Sequence, residues 1–228
     1  MIISIMNIIK MKTISFILFI LLIISCSKNN TEEKWMYYYN QYFSAGAGRT
    51  ALDSAIFYID EKMKDNPEEN WSLYCYKLMA YSILREYDKA LSTCFNDTIV
   101  IDGRFPFLQS IFKERFQAMK AHDDKNIEER DHYLMKIMET ISNYMNQNGH
   151  EMAELMDKQN TTEKVDGHII LLRNYYFCKT IVDGKDAAIY SLDSLYNNYN
   201  NMGCYDDLKN YINNCSDYSE NELMNFSL

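Results

Sequence analysis

Hydrophobic side chains return at three- and four-residue steps along most of this chain. Leu52, Ala55, Ile56, Ile59 and Met63 fall on one helix face by that spacing, as do Trp35, Tyr38, Tyr39 and Tyr42. Phe105, Leu108, Ile111, Phe112, Phe116 and Met119 form a third stripe, and Leu134, Ile137, Met138, Ile141, Tyr144 and Met145 a fourth. Leu192, Leu195, Tyr196 and Tyr199 make a later one, followed by Tyr205, Leu208 and Ile212. The period-two alternation of half-buried strands is absent, so no sheet is expected. Breaks fall between the stripes, at Ala45-Gly46-Ala47-Gly48, Asn66-Pro67 and Asp102-Gly103. Proline cannot continue a helix and restrains the residue before it, whereas Pro106 at a helix start loses nothing by lacking an N–H. Asp183-Gly184-Lys185-Asp186 ends a helix expected from about Asp166, with Asp186 as the expected N-cap of the next. The pattern predicts an all-α protein of about eight or nine helices, whose short connections make neighbours antiparallel.

Two of the expected helix pairs resemble tetratricopeptide repeats, whose unit is about 34 residues with a small residue inside the second helix and a proline near its end. The pair from about Trp35 to Pro67 has Tyr39 and Tyr42 at large positions, Ala55 at the small one and Pro67 at the close. The pair from about Trp71 to Asp102 carries Tyr81 and the run Tyr87-Asp88-Lys89-Ala90-Leu91, with Ala90 at the small position. Gly184, Ala188 and Leu195 make a third, degenerate match, and the stretch from Phe105 to Met145 fits poorly. Phe43 and Leu78 depart from the pattern, standing where the first helix of the repeat prefers a small residue. The resemblance covers about half of the chain beyond residue 25 and implies antiparallel pairs stacked into a right-handed solenoid.

The N-terminal segment reads differently. Residues 1–25 contain no acid and only Lys10 and Lys12 as bases, and Ile14 to Ile24 is almost wholly apolar. That run is shorter than the roughly 20 residues that span a bilayer core and fits the h-region of a secretory signal. Leu22-Ile23-Ile24-Ser25-Cys26 resembles a bacterial lipobox, in which a small residue admits the peptidase and the cysteine thiol carries the lipid. Cys26 is therefore the expected lipidation site. Met11-Lys12 is a second candidate start, because signal peptides commonly open on Met-Lys. Residues 26–34 are polar and read as a tether, which leaves 35–228 as the helical-repeat domain. Ser27 suits outer-membrane sorting, and Lys28 with the later Glu32 and Glu33 partly resembles the surface-export signal of Bacteroidetes lipoproteins. The expected location is the outer membrane, facing the periplasm or the cell surface.

Composition narrows the partner class. The chain of 228 residues is 47% hydrophobic and 24% charged, which is enough apolar material for a core and excludes a disordered chain. Its net charge is −9. Removing residues 1–25 takes two of the 23 basic residues and none of the 32 acidic ones, leaving −11. Nucleic acid is thereby disfavoured, since phosphate contacts need an excess of Lys and Arg.

No convergent catalytic set emerges. His122, His132, His150 and His168 form no His-Glu-x-x-His pair, and His150 with Glu154 offers two ligands one turn apart at most. Gly46-Ala47-Gly48-Arg49-Thr50 lacks the ending of a phosphate loop, and no Gly-x-Ser-x-Gly elbow occurs. Glu128, Glu129 and Asp131 read as a solvated helix face. No enzymatic activity, metal or cofactor is expected. Apart from Cys26, five cysteines remain, of which Cys75 and Cys94 are a candidate disulfide if the chain turns near Arg85; small apolar filler is the competing reading for all five. Cys204 and Cys215 lie too far apart along one helix to bridge. Asp97-Thr98-Ile99 resembles the O-glycosylation motif of Bacteroidetes exported proteins, which makes Thr98 a candidate site.

The expectation that follows is a lipid-anchored helical-repeat protein that binds a protein or peptide partner. The concave surface of such a repeat should include Tyr37 and, in the second pair, Ser72, Cys75, Met79, Ser82 and Ile83. That surface lacks the Lys, Arg and Asn of carboxylate-clamp repeats, so capture of a peptide's C-terminal carboxylate is not expected. Two alternatives stand beside it: an immunity-type inhibitor whose acid excess speeds its meeting with a basic toxic enzyme, and an accessory glycan-binding lipoprotein.

Overall fold

A computed structural model describes residues 32–65, 70–96, 107–148, 163–198 and 204–215. Residues 1–31, Pro67, Thr98, Pro106, His150 and Glu154 lie outside them, and with them the signal segment and Cys26. Nine helices account for nearly all described residues, with no strand among them: α1 Glu32–Ala45, α2 Arg49–Asp65, α3 Asn70–Leu84, α4 Tyr87–Asn96, α5 Leu108–Asp123, α6 Ile127–Gln147, α7 Glu163–Asp183, α8 Lys185–Asn198 and α9 Tyr205–Asn214. The protein is all-α, as the hydrophobic periodicity predicts.

The described residues fall into two compact units, one up to Ala80 and the other from Tyr81 onward. In the first, α1 packs along α2. The expected stripe of α2 is its buried face, with Leu52, Ala55 and Ile59 fully buried. The chain between the two helices turns at Gly46, whose φ of 61° suits a residue without Cβ. The first part of α3 buries Leu73, Tyr74, Cys75 and Leu78. Tyr76 lays its ring against Trp35 at 4.8 Å and Tyr39 at 5.3 Å, and Lys77 pairs with Asp60 at 2.9 Å, so α3 is tied to both α1 and α2.

In the second unit each helix packs on the next in sequence: α4 on α5, α5 on α6, α6 on α7, α7 on α8 and α8 on α9. α9 also reaches α7. Leu134, Ile137 and Ile141 form the buried stripe of α6, each worth about 1.5–3 kcal/mol against exposure. Leu172, Tyr176, Ala188, Leu192, Leu208 and Ile212 make the core of the last three helices. The small residues expected at close helix approaches, Ala55, Ala90 and Ala188, are all fully buried.

Two turns in this unit share one geometry. Arg85 (φ 56°) and Lys125 (φ 60°) occupy the left-handed region. Their N–H groups donate to Ser82 and His122 carbonyls, while Glu86 and Asn126 N–H donate to Tyr81 and Ala121 carbonyls. Each turn thus satisfies the last carbonyls of one helix and opens the next two residues later. Asn126 then caps α6: its side chain accepts from the Glu129 N–H at 3.3 Å and donates to the Glu129 carboxylate at 2.8 Å.

Several boundaries differ from the sequence expectation. α1 begins at Glu32, inside the expected tether. α7 begins at Glu163 and not near Asp166. Asp186 lies in the first turn of α8, one residue past Lys185, and acts there on the helix dipole instead of as its cap. Cys204 and Cys215 flank α9, one at each end.

Candidate functional site

The six residues expected to share a binding surface are not presented alike, and Cys75 is buried in the core instead of lining it. Tyr37, Ser72 and Met79 belong to the first unit, Ser82 and Ile83 to the second. Tyr37 is 58% exposed and Ser72 is exposed, whereas Met79, Ser82 and Ile83 are half-buried. Ser82 is engaged within the protein, its hydroxyl lying 3.9 Å from the Met119 sulfur.

The first unit displays two aromatic clusters, one around Tyr38 and one around Tyr39. Tyr37 meets Tyr38 edge-on at 5.3 Å, Tyr38 stacks on Tyr58 of α2 at 5.6 Å with the rings 4° from parallel, and Tyr58 meets Phe57 at 5.3 Å. Lys34 lies 5.4 Å over the Tyr58 ring. On α1, Phe43 packs against Tyr39 and Tyr42. Met36, Tyr37, Phe43, Phe57 and Tyr76 are all exposed, five of the nine large apolar side chains exposed among the described residues. Burial, and then the neighbouring Tyr76 phenol, pushes the Tyr39 hydroxyl pKa upward. Sequence spacing held the signal: Phe57 and Tyr58 fall outside the Leu52–Met63 stripe and so had to face elsewhere.

The second unit carries a groove of about 540 Å³ that crosses α7 between α6 and α8. Ser142 and Asn146 come from α6, Tyr175 and Lys179 from α7, and Tyr190, Ser194 and Asn198 from α8. The buried Tyr176 forms part of the floor and shares a hydrogen bond with Ser191. Tyr190 is 78% exposed, the most exposed large apolar side chain among the described residues. Sequence reasoning missed this groove, although Ala187, Tyr190, Ser191, Ser194, Leu195 and Asn198 follow the spacing of a single helix face.

Charged clusters elsewhere are tied up in holding helices together. Tyr87 donates to Asp123 at 2.7 Å, Arg85 pairs with the same carboxylate at 3.4 Å, and Lys120 pairs with Asp88 at 2.6 Å, so the cleft at the Arg85 turn is braced by its own lining. On α8 and α9, Tyr205 donates to Asp193 while Lys209 donates to the Tyr205 oxygen at 2.7 Å. The Tyr205 hydrogen bond, then Lys209, hold the Asp193 carboxyl below the usual carboxylate range. No group of three metal-ligating side chains occurs among the described residues.

Cys75 and Cys94 are both buried, with no disulfide between them in the structure. Burial pushes Cys75 up to about 12, which keeps it protonated and makes it small apolar filler. No protein-family model, curated protein or solved structure matches the chain.

Proposed function

We propose that this protein is a lipid-anchored, extracytoplasmic helical-repeat protein that captures a protein or peptide partner through the exposed aromatic side chains of its first unit. The observation that carries the reading is the exposure of Met36, Tyr37, Phe43, Phe57 and Tyr76 on one small unit. Clustered exposed apolar side chains mark interaction sites, and aromatic anchors supply most of the energy at protein interfaces. The repeat reading draws support from the paired turns at Arg85 and Lys125 and from the full burial of Ala55, Ala90 and Ala188. The lipid anchor rests on the lipobox ending in Cys26.

The test replaces Tyr37, Phe43 and Phe57 together with Ser and compares partner capture from detergent-solubilised membranes. Capture by the wild-type chain should vanish in the triple variant while circular dichroism stays helical. Capture that persists in the folded triple variant, or that is lost on adding a metal chelator, removes this reading. The acid excess keeps one second reading in view, an inhibitor of a basic toxic enzyme, for which a toxin gene beside this one is the discriminating observation.

A further inference from the structure

We propose that the groove between α6 and α8 is a binding site for a neutral saccharide. Its lining contains hydrogen-bonding groups that carry no charge. Asn146 and Asn198 approach from the two flanking helices, each able to donate through its NH₂ and accept through its carbonyl, and Ser142 and Ser194 add hydroxyls. A sugar hydroxyl is likewise both donor and acceptor, so this set matches a polyhydroxylated ligand without needing a fixed sign of charge.

Charge points the same way. Among the described residues Lys179 is the only charged one lining the groove, and it pairs with Asp183 at 2.8 Å. Among its described lining residues an acidic ligand therefore meets no uncommitted cation and a basic ligand no carboxylate, in a chain whose net charge is −9.

The walls supply the apolar half. Tyr190 stands 78% exposed on α8, one turn from Ser194, with a ring face open to solvent. An aromatic face carries a negative quadrupole and attracts the polarised C–H groups of a pyranose. Tyr175, held edge-on to Tyr176 at 5.2 Å, adds a second ring on the floor side. Beneath them Leu172, Tyr176 and Leu192 are core residues, so the groove is formed before any ligand arrives. Its volume of about 540 Å³ lies inside the range of small-ligand sites, roughly 300–1,000 Å³. The site belongs to the second unit, and partner capture to the first.

The experiment titrates the full chain in detergent with neutral oligosaccharides of glucose, galactose, mannose and xylose. Oligogalacturonate is the charged comparison, and binding is followed by calorimetry and by tyrosine fluorescence. At least one neutral probe is expected to bind saturably, and Tyr190→Ala should weaken it about tenfold while the circular dichroism is unchanged. Asn198→Ala should weaken it as well, and Tyr190→Phe, which keeps the ring face, should not. Three results overturn the proposal: no neutral probe binds, the Tyr190→Ala chain binds as tightly as wild type, or oligogalacturonate binds as well as the best neutral probe.

Discussion

The thiol of Cys75 is pushed up to about 12 by burial, and that of Cys178 to about 12 by the same cause, with Arg115 opposing it only in part. Both are thus neutral in the folded chain at pH values where an unfolded thiol ionises. Stability from this source is whole below about pH 8.5 and falls as pH rises further, because only the unfolded chain releases those protons. Iodoacetamide at about pH 8 should therefore leave Cys75 and Cys178 unmodified in the native protein and label them in urea. Cys75 and Cys94 should both label in urea without reductant; labelling that requires reductant would show a bridge. A second residue-scale prediction concerns Arg115, a buried cation whose guanidinium donates to the Asn174 side chain at 2.6 Å and lies 5.3 Å from the Phe177 ring. Asn174→Ala strips a charged donor of a buried acceptor and should cost about 2 kcal/mol in urea unfolding. The double change Arg115→Met, Asn174→Leu should cost less than Asn174→Ala alone, since it removes the buried charge together with its acceptor.

At the scale of elements, the turns are where this fold is under tension. Arg85 and Lys125 adopt left-handed backbone, which costs a residue with a Cβ about 1–2 kcal/mol. The hydrogen bonds around them are backbone to backbone, so the side chain is not what closes the turn. Lys125→Gly should keep those bonds, relieve the backbone and stabilise the protein by about 0.5–1 kcal/mol after the extra chain entropy of glycine. Unchanged or lowered melting would mean that the Lys125 side chain contributes more than its conformation costs. The helices themselves were legible because a 3.6-residue period is a local property: the stripes of α2 and α6 are the buried faces in the structure. Helix ends were less so. Asp186 reads as a cap by residue type, yet Gly184 (φ 90°) and the bond from Ala188 N–H to its carbonyl start α8 earlier.

For the whole molecule, no helix among the described residues is long and apolar enough to cross a membrane. Attachment in the proposed reading rests on lipid at Cys26. Cys26→Ala should abolish palmitate labelling and leave the chain as an unprocessed precursor or free of the membrane fraction. Labelling that survives the change removes the anchor from the proposal.

The order of hydrophobic and polar residues by itself determined that the chain is helical, roughly how many helices it makes and where the small residues Ala55, Ala90 and Ala188 must be buried. These follow from period and side-chain size, which act within a turn or two of the same helix. What only the tertiary structure decided is which helices become neighbours, and hence every feature assembled from more than one of them. Tyr38 on α1 finds Tyr58 on α2 only because those helices pack. Ser142 and Asn198 line one groove only because α6 and α8 both lie against α7. The spacing that would have paired Cys75 with Cys94 could not say whether packing would bring two thiols into bonding geometry or bury each as a small apolar side chain. The structure buries both side chains without a disulfide between them.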